Sequence, residues 1–128
     1  VGNGWIGVDF DGTLAVSVTE EWNGPLGQPV PLTVERVKAR LAQGVEVRIF
    51  TARVCPKNKD GTLQPESEMS ELKSRIDAWC EEHIGQRLEC TCEKDHDMLQ
   101  IWDDKAVHVT RDTGEVCKCT FSFMDSLK

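Results

Sequence analysis

No apolar run in this chain approaches the roughly 18–20 residues that a bilayer-crossing helix needs, so no membrane is expected among its partners. The opening VGNGW has neither the basic start nor the long apolar centre of a secretory signal, and a cytoplasmic location is expected. Basic charge is scarce: Lys and Arg number 15 against 22 Asp and Glu, a net charge of −7. That excludes nonspecific wrapping of nucleic acid, which is held by arrays of cations, but not a short contact with one phosphate. There is no internal repeat, low-complexity tract or interdomain linker. With 128 residues and 39% hydrophobic content, residues 1–128 are read as a single domain around one core.

Metal-ligand patterns of the soft kind are also missing. His83, His96 and His108 form no i, i+4 pair and are expected to be structural or exposed. The six cysteines contain no C-x-x-C knuckle, only Cys90-x-Cys92 and Cys117-x-Cys119. In a strand such residues merely share a face, so a zinc site is disfavoured. Without a signal segment the thiols are expected to be mostly reduced, with Cys55 buried and inert.

What is present reads as alternating strands and helices. WIGVDF (5 to 10) is an apolar strand, followed by an irregular Gly- and Pro-rich segment through Pro31. Val34, Val37 and Leu41 share one face of a helix over about 34 to 43, with Thr33 as N-cap and Gly44 as C′. VEVRIF (45 to 50) is a second strand. After a polar loop, Met69, Leu72, Ile76, Trp79, Cys80 and Ile84 recur at spacings of three and four, an amphipathic helix. LECTC, LQIWDD and AVHVT read as three further strands. The order predicts an α/β fold: a Rossmann-like three-layer sandwich with a mostly parallel sheet and flanking helices.

Carboxylates gather where such sheets bind ligands, beyond the carboxyl ends of the strands. The first strand ends in Asp9 and Asp11, which share a side if the strand continues to its tip. The second runs into Thr51, Ala52 and Arg53, and the fourth into Asp103 and Asp104. Acids that close repel one another, and a divalent cation is the natural neutraliser. An all-oxygen set with no nearby His or Cys favours Mg²⁺, with Asp9, Asp11, Asp103 and Asp104 as the metal candidates.

DFDGTL at 9 to 14, an apolar strand ending in Thr51, a lysine upstream of the fourth strand and the pair Asp103-Asp104 resemble the four motifs of the haloacid dehalogenase (HAD) superfamily. The resemblance spans Trp5 to about Val109 and is to small stand-alone members of the bacterial and phage type. It implies a HAD-like hydrolase without a cap domain, a Mg²⁺-dependent phosphatase working through an aspartyl phosphate. Asp9 would be the nucleophile. Asp11 would protonate the leaving oxygen and then activate water, with its main-chain carbonyl facing the metal. Thr51 and the backbone N–H groups of Phe10, Asp11 and Ala52 would cradle phosphate. Lys94 would hold phosphate and nucleophile together, with Lys105 as competitor. The T-x-R segment resembles phosphatase domains that act on nucleic-acid ends and nucleotides, which makes Arg53 a phosphate-binding candidate; the alternative is a surface ion pair.

Trp5, Trp79 and Trp102 are expected in packing, and Trp22 is the tryptophan placed to flank a substrate. Both slots where the family inserts a cap are too short to fold separately. Residues 14 to 32 are expected to form a hairpin-like flap over an open site, closed either by a macromolecular end or by an oligomer. The substrate is expected to be a phosphorylated small molecule or a nucleic-acid end, and the local positive charge of Arg53, Lys57 and Lys59 favours a nucleotide or nucleic-acid end over a sugar phosphate. Two rival readings fit the sequence less well. A response-regulator receiver domain carries its phosphorylated Asp after the third strand, and LECTC ends without one. A catalytically idle HAD-like binding module would be marked by loss of Asp9, Asp11, Lys94 or the acidic pair, and none is lost.

Overall fold

The computed structural model describes residues 4–21, 23–58 and 60–117; Trp22, Lys59 and Cys119 lie outside the described residues. The elements follow as β1 (Trp5–Asp9), α1 (Pro31–Ala42), β2 (Glu46–Phe50), a 3₁₀ turn (Ala52–Val54), α2 (Glu66–His83), β3 (Cys90–Thr91) and β4 (Met98–Trp102). All four strands are parallel, in the order β3-β2-β1-β4. Their carboxyl ends therefore share one edge, and Asp9, Thr51 and Asp103 emerge there as expected.

Helix α1 begins at Pro31 rather than near Val34. Proline at the first helical position has the right φ, and its missing N–H would find no helical partner there anyway. Helix formation thus starts before Thr33 can serve as a cap, and Val30 takes that place without a side-chain bond. The other end is as read. Gly44 at φ +83° closes a Schellman motif, in which Gly44 N–H donates to Leu41 O at 3.0 Å and Val45 N–H to Arg40 O at 3.1 Å. Helix α2 starts at Glu66, with Glu66 and Glu68 in its first turn where the helix dipole favours acids.

Ile6 and Val8 of β1 lie beside Val47 and Ile49 of β2 on one face of the sheet. That face receives Val34 and Val37 of α1 and Ile76, Trp79 and Cys80 of α2 in a single core. Among the described residues two layers result, not three. The steps from β1 to β2 and from β2 to β3 move in the same direction, so right-handed crossovers put both helices on the same side. The return from β3 to β4 passes over the opposite face, but residues 92–97 are too few for the dozen or more that a helical crossover takes. This connection lies flat instead. The Trp5 indole N–H donates to Asp95 at 2.8 Å, Trp5 N–H donates to Asp97 O at 3.0 Å, and the Arg48 guanidinium sits 4.4 Å over the Trp5 ring.

AVHVT is not a sheet strand. It forms one arm of a small hairpin, bridged at Val109 and Val116, whose valines stay 50% exposed because no sheet surface is offered to them. Of the cysteines, Cys55, Cys80, Cys90 and Cys92 are free thiols, with burial pushing Cys80 and Cys90 up to about 12. Cys117 departs from the expected reduced state: it is disulfide-bonded, on the hairpin outside the packed core. Among the described residues no helix is long and apolar enough to cross a membrane.

Candidate functional site

The chain turns sharply after β1. Phe10 is fully buried and packs edge-on against Trp79 at 4.9 Å, while its carbonyl accepts from Leu14 and Ala15 N–H at 3.0 and 2.9 Å. Strand alternation therefore stops at Phe10, and the shared side expected for Asp9 and Asp11 is lost. Their carboxylates part into two different environments.

Asp9 joins Asp103 and Asp104, whose carboxylates each offer an oxygen within 4.8 Å of the others. Burial, a hydrogen bond with Asp104 and the charges of Asp103 and Asp104 push Asp9 up to about 7, opposed by the Phe10 N–H, which donates to it. Among the described residues no cation forms an ion pair with these acids. Their donor set is entirely carboxylate oxygen, which suits a hard divalent cation such as Mg²⁺.

Gly12 and Thr13 hold this group in place. Gly12 adopts φ +91°, and a Cβ there would lie 2.8 Å from Asp104 Oδ2, so only glycine lets the turn press against that acid. The Thr13 hydroxyl donates to Asp104 Oδ1 at 3.1 Å and accepts from Asp104 N–H at 3.0 Å. Neither residue was assigned a role from sequence, although both belong to the DGT run itself.

Asp11 faces Arg53 instead. The guanidinium donates from Nε to Oδ2 at 2.7 Å and from Nη2 to Oδ1 at 2.9 Å, a bidentate pair. Arg53 is 4% exposed, so it is no surface ion pair. It also donates to Gly24 O at 2.9 Å and Pro25 O at 3.2 Å. Arg75 and Trp79 hold the same segment through the carbonyls of Asn23, Gly24 and Gly27. Its base is hairpin-like, as expected: Ala15 bridges Pro29, Val16 N–H donates to Gln28 O and Val30 N–H to Leu14 O, both at 2.8 Å.

Thr51 is 3% exposed; its hydroxyl oxygen accepts from Arg53 N–H at 3.1 Å, which leaves its own proton to donate. Ala52 is exposed beside it. Lys94 is exposed on the 92–97 connection, next to the Asp95 that binds Trp5, and it is not brought into ion-pairing range of Asp9. Lys105 is likewise exposed. His83 packs edge-on against Trp79 at 4.7 Å, and His96 and His108 are exposed, as read from sequence. No family model, curated protein or solved structure matches this chain.

Proposed function

We propose that this chain is a Mg²⁺-dependent phosphomonoester hydrolase of HAD type that works through an aspartyl phosphate on Asp9. The observation that carries the reading is the group Asp9, Asp103 and Asp104, at the carboxyl edge of a parallel sheet, with Asp9 pushed up to about 7 by burial and by its acidic neighbours. Acids crowded in this way repel one another, and a bound cation relieves that repulsion. Asp9, Asp103 and Asp104 would hold the metal. When bound, it would neutralise the acids and polarise a phosphoryl oxygen.

The protein's own residues would then do the following. Asp9 attacks phosphorus; the bond to the leaving oxygen breaks, and that oxygen takes a proton from Asp11. Water, deprotonated by Asp11, attacks the phosphorus of the aspartyl phosphate and frees Asp9 and inorganic phosphate. Arg53 donates to both Asp11 oxygens, and such an ion pair opposes a proton on the carboxylate, so Asp11 would take up and hand on its proton only when the guanidinium releases one oxygen. Thr51 donates its hydroxyl to a phosphoryl oxygen.

A second reading, a phosphate-binding module without turnover, is favoured by one observation: no lysine is paired with the acid group among the described residues. Rapid acid quench after mixing with a radiolabelled aryl phosphate and Mg²⁺ separates the two. The hydrolase forms an acid-stable, base-labile label on the wild-type chain and none on Asp9→Asn. A wild-type chain that never labels, at any quench time, and releases no phosphate would be the idle module.

A further inference from the structure

A cavity of about 470 Å³ lies between α1 and the edge strand β4, lined by Arg36, Ala39, Arg40, Gln100 and Trp102. Its size falls within the roughly 300–1,000 Å³ of small-ligand pockets. Its chemistry is unusual for this molecule. In a chain of net charge −7, the lining holds two arginines and no acid. Arg36 and Arg40 stand one helical turn apart on α1, so their guanidinium groups can reach the same ligand.

The polar groups of the lining are committed in a way that leaves donors outward. The Trp102 indole N–H donates to Gln100 Oε1 at 3.0 Å. Because an indole N–H can only donate, this bond fixes which way the Gln100 amide points, and its NH₂ remains for a ligand. Arg40 gives one N–H to Gln43 at 3.2 Å and keeps others. An aromatic plane, two guanidinium groups and an amide donor are the parts with which proteins hold a base and its phosphate. Trp102, which lines the cleft, directly precedes Asp103 at the carboxyl end of β4.

We propose that this cleft binds a nucleotide unit of the substrate, with Trp102 stacking on the base and Arg36 and Arg40 holding a phosphate outside the hydrolytic centre. This rests on the phosphohydrolase reading, whose substrate class it names as a nucleotide or a single-stranded end rather than a sugar phosphate. It also replaces Arg53 as a source of positive charge for the substrate, because Arg53 is buried against Asp11.

Equilibrium binding without turnover tests it, using three probes: a single-stranded tetrathymidylate with no terminal monoester, thymidine 5′-monophosphate, and ribose 5-phosphate. The wild-type chain should bind the thymidine ligands better than ribose 5-phosphate, and the stronger of the two names a strand or a free nucleotide. Arg36→Ala/Arg40→Ala should weaken the tetranucleotide at least about tenfold and reduce its salt slope by about 0.7, the value for one phosphate no longer neutralised. Trp102→Leu should cost the thymidine ligands about tenfold and ribose 5-phosphate little. Trp102→Phe keeps a ring and should restore most of that loss, a readout that a merely structural tryptophan would not give. Tetranucleotide affinity and salt slope unchanged in the folded double-arginine variant would overturn the proposal, as would a preference for ribose 5-phosphate. A wild-type chain inactive on aryl phosphates would sink the hydrolase and leave these binding results standing.

Discussion

Asp9 and Asp11 are two residues apart, and their surroundings are electrostatic opposites. Asp9 faces two further acids and no cation among the described residues. Asp11 faces a buried guanidinium that takes both its oxygens. One carboxylate is left to be neutralised from outside, and the other brings its own counter-charge from the 3₁₀ turn after β2. The difference separates what the fold needs from what the proposed chemistry needs. The Asp11–Arg53 pair ties two segments of chain together, whereas the Asp9 group costs the fold stability unless something binds it.

Breaking the Asp9 side should have the largest effect on function. Asp9→Asn keeps the shape and removes the attacking carboxylate, so phosphate release should fall by more than ~10³-fold while circular dichroism stays that of the folded chain. Near-normal turnover would sink the proposed nucleophile. Breaking the Asp11 side should have the largest effect on stability. Arg53→Gln leaves a part-buried carboxylate unpaired and removes donors from Gly24 and Pro25, a loss of about 3–5 kcal/mol in urea unfolding. A loss below ~1 kcal/mol would mean that water replaces the guanidinium at little cost.

The contrast sharpens with pH. Folded Asp9 keeps its proton up to about 7, against an ordinary value of 3.8. The folded state therefore binds more protons in that window, and the metal-free chain should lose stability as pH rises from about 4 to 7. The proposed Mg²⁺ would bind the ionised group, so the rise in Tm it causes should be greater at pH 8 than at pH 5 and should vanish in Asp9→Asn. A Mg²⁺ effect that is the same at both pH values would contradict the assignment of the cation to this acid.

Smaller effects come from residues that support or neighbour the group. Thr13→Val removes both hydrogen bonds to Asp104 and should weaken Mg²⁺ about tenfold, read from the Mg²⁺ dependence of Tm, as outer partners of metal ligands commonly do. Lys94→Ala should change stability by less than ~0.5 kcal/mol, since the side chain is exposed and unpaired among the described residues. A large loss of phosphate release in that variant would instead show that Lys94 reaches the phosphate during turnover.

Much of the frame was legible in local patterns. The run Ile6–Val8 and the alternation of VEVRIF gave the central strands, and the spacing from Met69 to Ile84 gave α2, because apolar periodicity reports directly on a buried face. The gathering of Asp9, Thr51 and the acidic pair followed from parallel strands sharing one carboxyl edge. What escaped depended on contacts distant in sequence. AVHVT has the composition of a strand, yet whether a strand joins a sheet depends on an edge being offered, and composition does not carry that. The parting of Asp9 from Asp11 turned on Phe10 sinking against Trp79, and the burial of Arg53 on carbonyls some 28 residues away. Thr13 was visible in DGT, but its partner Asp104 lies 91 residues on.

The acids at the tips of β1 and β4 are proposed as a cation-dependent phosphohydrolase centre. Its most direct test is the release of inorganic phosphate from 4-nitrophenyl phosphate by the wild-type chain, measured with Mg²⁺ and again after chelation. Steady release with Mg²⁺, its loss on chelation and its return when Mg²⁺ is added back are expected. No release under any of these conditions, or release that chelation leaves unchanged, would contradict the proposal.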